Sequence, residues 1–590
     1  MKKASAEKQS ATLGRLMKYV KPHALLVVAA FFCAVVSAAA SLFAPVVIGE
    51  SVNYIMGAGA VYYKPLATRI VLLAVLIVAV LVFQWLMNIF AQRAAHLTVR
   101  DARRDGFSAL VTAPLSYIDG NGHGDLAARL SVDADQISDG IVQGATQLFT
   151  GIVTVIGTLA LMIRINPWIA LAVAALTPLS LFVSFLVARG SHKYFSAQSK
   201  VRGELYQKSE EIIGSRALVA AYGYAPRAEQ SFGETNEALR RCGFKATFYS
   251  SLVNPSTRLI NALVYAVAAV MGAVFAIDGK MSAGDIATLL LFANQFARPI
   301  NEITGVITEL QTSLAAAKRT FDLAEVKPQQ DSGTVKDKTL GGDIAITDMT
   351  FSYTPGKPIL KNLNLAVKPG TMVAIVGRTG CGKTTLINLL MRFYDPDSGK
   401  IYFDGIDSTD VQRSCVRKGF GMVLQDSWIF KGTVRENIAY GKPDASEDEV
   451  KAAAKAAHID GFIERLPNGY DTVIDDGDGI SQGQKQLINI ARVMLVNPPM
   501  LILDEATSNI DTRTERRVQE AFDALLRPEN GVKKTGFVVA HRLSTIKNAD
   551  VILVMDSGEI VERGTHDELL SRGGVYAELY NAQFSAGLSV

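Results

Sequence analysis

Cysteine is scarce in this chain, with only four in 590 residues. Cys33, Cys242, Cys381 and Cys415 lie far apart, without CxxC spacing and without neighbouring histidine pairs. Zinc sites and disulfide frameworks need closely spaced or paired cysteines, so neither is predicted and four reduced thiols are expected.

The chain also lacks a large excess of charge of one sign. It has 60 lysines and arginines against 56 aspartates and glutamates, which gives a net charge of +4. No block of like charges resembles a nucleic-acid-binding arm. No DNA or RNA partner is therefore predicted.

Charged residues make up 20% of the chain, and the long apolar runs lie almost wholly before residue 315. A single core stops growing at about 250–300 residues, so a chain of this length is predicted to have at least two domains. The change in composition marks the boundary. We predict a transmembrane domain at 1–320, a linker at 321–342 and a second domain at 343–585.

The apolar runs are long enough to cross a bilayer, whose hydrocarbon core of ~30 Å needs about 20 helical residues. The first run is too long for the core of a signal peptide, about 7–15 residues, and is expected to remain as a helix. Six spans are predicted, at about residues 24–48, 70–91, 142–163, 167–188, 255–277 and 284–310.

Lysine and arginine are concentrated before the first span and after the second and fourth spans. By the positive-inside rule, the N-terminus, both long loops and the C-terminal half face the cytoplasm. We therefore expect a multi-pass protein of the cell inner (cytoplasmic) membrane.

A short amphipathic segment precedes the first span. Leu13, Leu16, Met17 and Val20 recur at helical spacing among basic residues. This pattern predicts an interfacial helix at about 11–21, in contact with membrane lipid. A solvated linker is the alternative.

Polar residues interrupt the last span, where lipid-facing positions should be apolar. Such groups are costly at membrane depth and usually face a bundle interior or a watery cavity. Two interpretations stay open, a cavity wall that touches substrate and hydrogen bonding between helices. The candidate cavity residues are Asn294, Gln295, Arg298 and Asn301.

The motif GRTGCGKT, residues 377–384, lies between a strand-like run and a helix-like run. A glycine-rich turn in this context directs backbone N–H groups at phosphate oxygens, while Lys383 reaches the β- and γ-phosphates and Thr384 ligates magnesium. The Cys381 thiol is expected to be accessible to alkylation. The predicted nucleotide contacts of this motif are Gly377, Arg378, Thr379, Gly380, Cys381, Gly382, Lys383, Thr384 and Thr385.

Two carboxylates, Asp504 and Glu505, end the strand-like run MLILDE. An aspartate at such a strand end holds the magnesium shell, and the adjacent glutamate is placed to orient or deprotonate an attacking water. The sequence therefore predicts ATP hydrolysis that depends on Mg²⁺.

Further motifs occur in a fixed order around these two. They are Tyr353 in FSYTP, Gln425 at the end of FGMVLQ, ISQGQKQ at 480–486, SNID at 508–511 and His541 after TGFVVA. This order resembles the nucleotide-binding domain of ATP-binding cassette (ABC) transporters. The six spans, with PLSYIDGNGHGD at 114–125 in the first inward loop, resemble the exporter type.

The resemblance implies a multidomain fold, with an all-α six-helix transmembrane domain followed by an α/β P-loop nucleotide-binding domain. It implies that Tyr353 stacks on adenine, and that Gln425 and His541 join Glu505 as the catalytic group. Thr384, Gln425 and Asp504 are the implied magnesium ligands. The implied contacts with ATP held by a partner subunit are Ser481, Gln482, Gly483 and Gln484.

One phosphate loop and one signature in a chain imply that the working unit needs a second ABC half-transporter subunit. The family signature reads LSGGQ, whereas Gln482 replaces the first of its two glycines, and VIDDGDG before it lacks the usual Gly-Glu-Arg-Gly. The chain therefore resembles the catalytically competent subunit of heterodimeric multidrug-type exporters. A homodimer that tolerates Gln482 is the rival hypothesis.

The implied function is export, driven by ATP hydrolysis, of an amphipathic drug, lipid or peptide-like substrate by alternating access. A homodimeric lipid or drug flippase, an importer of metal chelates and a ligand-gated channel or regulator on the same scaffold are alternatives. A soluble DNA-repair or chromosome-organising ATPase is disfavoured by the six spans. No residue pattern names the substrate.

Overall fold

The computed structural model describes residues 2–55, 61–336, 338–424, 427–475, 479–504, 512–526, 533–539 and 546–582. The chain forms two compact units. The first comprises Met1–Val111 and His123–Val326, and the second comprises Thr112–Gly122 and Lys327–Val590.

The first unit is helical. Its helices are α1 (Lys2–Val20), α2 (Ala24–Asn53), α3 (Tyr63–Thr112), α5 (His123–Leu130), α6 (Val132–Gln143), α7 (Phe149–Ile165), α8 (Pro167–Leu176), α9 (Pro178–Gly214), α10 (Arg216–Ala221), α11 (Ala225–Ser251), α12 (Val253–Ile277) and α13 (Ala283–Ala324). The helix α4 (Leu115–Asp119) lies in the segment that belongs to the second unit.

Four helical stretches among the described residues are long and apolar enough to cross a membrane. In the most apolar window of Tyr63–Thr112 only 6% of residues are buried, the pattern of a helix that faces lipid. A shorter apolar helix covers Pro167–Val183, and the predicted run 284–310 lies in α13. The count of six spans stays a prediction. The four stretches are Ser10–Asn53, Tyr63–Thr112, His123–Ile165 and Ala225–Ile277.

Helices α2 and α13 pack with their backbones in close contact. A Cβ added to Gly284 would lie 2.1 Å from the carbonyl oxygen of Gly49, so only glycine fits there. The N–H of Gly284 donates to Oδ1 of Asn53 at 2.8 Å, and the hydroxyl of Thr288 donates to the carbonyl of Pro45 at 3.2 Å. Small residues of this kind let membrane helices approach closely.

The N-terminal helix α1 packs against the first unit. Leu16 is buried in a cluster with Val99 and Ala317, while Leu13 and Met17 are exposed. Arg15 pairs with Asp322 at 2.9 Å and with Glu325 at 3.0 Å. Its one exposed apolar edge suits contact with lipid, and its position along the inner leaflet stays a prediction.

The described residues of the second unit form three sheets. Its strands are β1 (Ile344–Phe351), β2 (Leu360–Val367), β3 (Met372–Gly377), β4 (Ser398–Phe403), β5 (Ile406–Asp407), β6 (Phe420–Val423), β7 (Gly432–Thr433), β8 (Val473–Ile474), β9 (Met500–Asp504), β10 (Thr535–Val539), β11 (Val551–Asp556) and β12 (Glu559–Gly564). The six-stranded sheet has the order β12-β11-β3-β10-β9-β6, with β12 antiparallel to five parallel strands. The antiparallel four-stranded sheet has the order β2-β1-β4-β5, and β7 pairs with β8.

Helices surround the sheets of this unit. They are α14 (Lys383–Leu390), α15 (Arg413–Gly419), α16 (Val434–Ile438), α17 (Glu447–Ala456), α18 (Asp460–Ile463), α19 (Gln482–Val496), α20 (Thr512–Leu526), α21 (His566–Arg572) and α22 (Val575–Tyr580). The predicted fold class, a helical transmembrane region followed by an α/β domain, is confirmed.

The parallel sheet is buried on both faces. Along β3, Val373 and Ile375 belong to one core cluster, while Ala374 and Val376 belong to the other. Successive side chains of a strand point to opposite faces, so the continuous apolar run of β3 is the signature of a central parallel strand. This burial fixes the loop that follows β3 at the edge of the sheet.

Candidate active site

The predicted phosphate loop and Asp504 lie at the same edge of the parallel sheet. In the register of the sheet, Val539 of β10 is level with Ile375 of β3 and with Asp504 of β9. Val423, the last residue of β6, is level with Leu503. Ligands of open α/β sheets bind outside the carboxyl ends of the strands, so these strand ends form the candidate site.

The loop after β3 needs glycine at several positions. Gly380 and Gly382 have φ of +83° and +105°, a region that side chains with a Cβ rarely adopt. A Cβ on Gly377 would lie 2.2 Å from the carbonyl oxygen of Met555, and one on Gly382 would lie 2.6 Å from a methyl carbon of Leu360. The sequence therefore forms a tight turn whose backbone is open to a phosphate group, and the loop fits a nucleotide.

Lys383 begins α14 directly after this turn. Its ammonium group donates to the carbonyl of Gly377 at 2.7 Å and to that of Arg378 at 3.1 Å. The side chain is thus folded over the loop, and its positive charge lies among the backbone groups that the motif assigns to phosphate. A helix N-terminus adds a favourable field for anions.

The expected accessibility of the Cys381 thiol is wrong. The residue is only 4% exposed and belongs to the core cluster beneath the loop. The positive φ of Gly380 and Gly382 turns the chain so that the side chain between them points inward. Thiol reagents react with accessible thiolates, so alkylation of Cys381 is not expected. Contact of Cys381 with a nucleotide would involve its backbone.

The two threonines of the loop differ in exposure. Thr384 is exposed on the first turn of α14, whereas Thr385 is buried. A magnesium ion takes one or two protein oxygens and completes its shell with phosphate and water. The hydroxyl of Thr384 and the carboxylate of Asp504 are donors of this kind, so the residues fit the ion. Arg378 and Thr379 are exposed on the loop.

The three predicted catalytic residues, Gln425, Glu505 and His541, lie outside the described residues. Described strands lead to them. The strand β6 ends at Val423, β9 ends at Asp504 and β10 ends at Val539. Their catalytic roles stay predictions.

Tyr353 is 43% exposed and is held by aromatic neighbours. Its ring meets those of Phe351 and Tyr394 edge to face, with centroids 5.0 Å apart in both cases. The amide of Asn388, on α14, donates to its hydroxyl oxygen at 3.1 Å. The ring is thus held by its neighbours while much of it remains exposed, as stacking on adenine requires.

The predicted signature opens helix α19. Ser481 is the N-cap, its hydroxyl accepts from the N–H of Gln484 at 3.3 Å, and Oε1 of Gln484 accepts from the N–H of Ser481 at 3.0 Å. This reciprocal capping box fixes the start of the helix. Ser481 and Gln482 are exposed and Gly483 is buried, so the substituted Gln482 does not disturb the core of its own chain.

The polar residues of α13 divide into two kinds. Gln295 donates from Nε2 to the hydroxyl and the carbonyl of Ser41 on α2, at 2.9 and 3.4 Å. Pro45 lacks an N–H, so the carbonyl of Ser41 has no donor within its own helix. Gln295 therefore serves packing between helices, the second of the two interpretations for this residue.

Asn294 and Arg298 are both exposed, four residues apart on α13. Arg298 donates to the carboxylate of Glu302 at 3.2 Å. Residues four apart share a helix face, so these two lie together on an exposed polar face. The side chain of Asn301 lies outside the described residues.

The chain is similar to known proteins along most of its length. The profile of the ABC transporter transmembrane region matches residues 27–300, and that of the ABC transporter matches residues 360–508. YfiC of Bacillus subtilis, described as an uncharacterized ABC transporter ATP-binding protein, is 37% identical over 586 residues, 99% of this chain and 96% of that protein. The chain belongs to the ABC transporter family.

Two other relatives have names that mention a cargo. The fatty acid ABC transporter ATP-binding/permease protein of Mycobacterium tuberculosis is 42% identical over 502 residues, 84% of this chain and 79% of that protein. The ATP-dependent lipid A-core flippase of Thiobacillus denitrificans is 38% identical over 496 residues, 82% of this chain and 84% of that protein. The ABC transporter described here is thus an ATP-hydrolysing membrane protein of the exporter type.

Sequence reasoning missed two residues of this ABC transporter, Tyr394, whose ring contacts Tyr353, and Asp119, which bonds to Tyr394. The hydroxyl of Tyr394 donates to the carboxylate of Asp119, which lies 275 positions earlier in the chain. Asp119 is within the segment PLSYIDGNGHGD and Tyr394 within the run RFYD. Neither has a periodicity or motif spacing that would pair them, so only the tertiary structure finds them.

Proposed function

We propose that this ABC transporter exports a lipid or another amphipathic molecule, a drug or a peptide, across the bacterial cytoplasmic membrane, as one half of a dimer with two ATP sites. The observation that carries the proposal is the phosphate loop at the edge of the parallel sheet, in a chain that also has long apolar helices. Such a pairing links ATP hydrolysis to movement of a membrane cargo.

The residues around the loop have distinct proposed roles. Lys383 and the loop N–H groups bind the phosphates, the ring of Tyr353 binds adenine, and Thr384 with Asp504 holds magnesium, which supplies charge neutralisation at the phosphates.

Glu505 orients or deprotonates the attacking water, assisted by Gln425 and His541. Ser481, Gln482, Gly483 and Gln484 contact the ATP of the partner subunit.

ATP drives transport through a difference in affinity between two states. ATP held between the loop of one subunit and the signature of the other favours the closed arrangement of the two ATPase domains. A ligand shifts such an equilibrium only by its differential affinity for the two states. Hydrolysis removes that preference and resets the transporter.

A lipid-like cargo is favoured within the amphipathic class by two observations. Two relatives are named for fatty acid and for lipid A-core. The exposed face of α13 has Asn294 and Arg298, whose guanidinium also pairs with Glu302. These polar and cationic groups next to the apolar residues of the same helix suit an anionic headgroup on an apolar tail.

The transport proposal is tested in liposomes that contain the purified protein, with a fluorescent fatty acid as the probe. We expect ATP-dependent movement of the probe between leaflets by the Gln482→Gly protein, whose restored signature lets two copies of this chain work together, and none by Gln482→Gly that also carries Glu505→Gln. The Asn294→Leu variant should hydrolyse ATP but lose stimulation by the probe. If the movement of the probe is independent of ATP in every sample, active export is contradicted.

We propose a heterodimer as the working assembly. Gln482 occupies the place of a signature glycine that a phosphate approaches closely, and it is exposed rather than absorbed into the core of its own chain. This chain combines an altered signature with an intact phosphate loop. A partner subunit with the opposite combination, an intact signature and an altered loop, would complement it.

A further inference from the structure

The second unit includes an unexpected segment, Thr112–Gly122, which carries helix α4 and follows α3 in the chain. Two sets of hydrogen bonds tie it to the residues beside the candidate adenine site. The first is the bond from the Tyr394 hydroxyl to Asp119.

The second set runs through Gln329. The N–H of Gln329 donates to the carbonyl of Thr112 at 2.9 Å, and its Nε2 donates to the carbonyl of Phe393 at 3.1 Å. The segment is therefore linked to two consecutive residues, directly to Tyr394 through Asp119 and indirectly to Phe393 through Gln329. The direct bond holds the hydroxyl of Tyr394, and the indirect link holds the backbone next to it.

Tyr394 in turn supports Tyr353. The two rings meet at 87°, with centroids 5.0 Å apart. Phe351 packs edge to face against both rings, at 5.0 Å from Tyr353 and 5.5 Å from Tyr394. An edge-to-face contact depends on the tilt of both rings, so the orientation of Tyr394 determines how the exposed surface of Tyr353 is presented.

The chemistry of the bond between Tyr394 and Asp119 suits a fixed support. Burial, and next the hydrogen bond to the Asp119 carboxylate, raise the pKa of the Tyr394 hydroxyl well above its usual range. The phenol therefore remains a donor at physiological pH. A hydrogen bond to an ionised acceptor is stronger than one between neutral groups.

We propose that Asp119 and Tyr394 are positioning residues for Tyr353, so that the segment Thr112–Gly122 sets the affinity of the site for the purine base of ATP. This inference rests on the proposed role of Tyr353 in binding adenine. It predicts that loss of the Asp119–Tyr394 bond weakens binding of the base but not of the phosphates, because Lys383 and the loop glycines that bind phosphate do not contact the Tyr394 ring.

The experiment compares two ligands on the full-length protein in lipid nanodiscs, with Glu505→Gln as the background so that ATP is not consumed. Two affinities are measured for Asp119→Asn, Tyr394→Phe and the double variant. The first is the dissociation constant of MgATP. The second is the affinity for magnesium tripolyphosphate, which lacks the base, measured by its displacement of MgATP. Both substitutions keep the shape of the side chain and remove the charge-assisted bond. Tyr402→Phe, which removes a hydroxyl from β4 of the same domain, is the matched control.

We expect each single variant to weaken MgATP binding by about 3- to 10-fold, the factor for loss of one hydrogen bond. The affinity for tripolyphosphate should be unchanged. The double variant should be no weaker than the single ones, because both remove the same interaction. Tyr402→Phe should leave both affinities unchanged.

Three outcomes would overturn the inference. An equal loss of affinity for both ligands would mean that the substitutions disturb the fold of the domain rather than the base site. Unchanged MgATP binding in the two variants, with weaker binding in Tyr353→Ala, would reject the link to Asp119 and Tyr394 while keeping the role of Tyr353. Unchanged binding in Tyr353→Ala would reject both. Each readout is a binding constant, so none depends on turnover or transport.

Discussion

The phosphate loop can form only with glycine at certain positions. The structure shows two different reasons for this requirement, lack of space and backbone conformation. At Gly377 the obstacle is space, since an added Cβ would lie 2.2 Å from the backbone oxygen of Met555. At Gly380 the obstacle is conformation, since φ is +83° but no atom lies within 4 Å of an added Cβ. A backbone oxygen in a central sheet cannot move aside as a side chain can.

We therefore expect Gly377→Ala to lower stability more than Gly380→Ala. The left-handed conformation at Gly380 costs an alanine about 1–2 kcal/mol, whereas Gly377→Ala must displace the backbone of β11 and is expected to cost more than ~2 kcal/mol. The thermal unfolding midpoints of the two full-length variants provide the comparison. Equal midpoints would show that the loop relaxes to accept the Cβ at Gly377.

His566, at the start of α21, provides a pH-dependent contribution to stability. Its Nδ1 lies 2.7 Å from the hydroxyl oxygen of Tyr576. Burial, and next the charge of Lys547, lower its pKa, although Asp567 acts in the opposite direction. The folded state thus binds fewer protons than the unfolded chain, whose histidine pKa is about 6.5.

The stability that depends on neutral His566 should be fully present above about pH 6.5 and should fall as the pH drops through the lowered folded-state pKa. We expect the wild type to lose more thermal stability between about pH 7.5 and pH 5.5 than His566→Gln, which does not titrate there. Unfolding midpoints at the two pH values test this. The same loss in both proteins would assign the pH dependence to other groups.

At the scale of whole elements, a proline in one helix is matched by an amide in another. Pro45 leaves the carbonyl of Ser41 without a helical donor, and Gln295 of α13 supplies one across the interface. Asn294, the neighbouring residue, is exposed. Adjacent polar residues of one helix thus have different roles, because successive side chains point in directions about 100° apart.

This pair makes a matched test in the membrane. Gln295→Leu should lower stability by about 1 kcal/mol, the usual size of an interhelical hydrogen bond in a membrane. Asn294→Leu should keep the wild-type stability and change only the response to substrate. Thermal unfolding in detergent gives the first readout, and ATPase stimulation by the fluorescent fatty acid gives the second. A destabilised Asn294→Leu protein would place Asn294 in the packing as well.

Local sequence patterns predict the elements of this protein but not every contact between them. The order of helices and strands and the placing of the phosphate loop between β3 and α14 follow from apolar runs and one specific motif. The inward burial of Cys381 does not, since it depends on the φ angles of its two glycine neighbours. The bond between Asp119 and Tyr394 joins residues 275 positions apart, and local patterns carry no information on such pairs.

For the whole molecule, the essential fact is that one chain has one phosphate loop and one signature. The capping box orders the start of α19 with Ser481 and Gln482 exposed, a surface that suits a nucleotide held by another subunit. The glutamine side chain then occupies space that a glycine would leave to the phosphate. In a dimer of two identical chains, both ATP sites would contain this glutamine.

We therefore expect the purified chain alone, in lipid, to show a low ATPase rate that depends on Mg²⁺, with Glu505→Gln as the blank. The Gln482→Gly variant restores the family signature in both sites of a self-dimer and should raise the rate by about 10-fold or more, the effect of one well-placed transition-state contact. Lys485→Ala, a change on the same helix behind the signature, controls for general effects on α19. If the wild type already matches Gln482→Gly, two copies of this chain form a competent transporter and the glutamine is tolerated. If Gln482→Gly is clearly faster than the wild type, the chain needs a partner subunit. The signature of that partner completes the ATP site that contains Lys383 of this chain, because closure of the two ATPase domains over ATP is then productive only with unlike subunits.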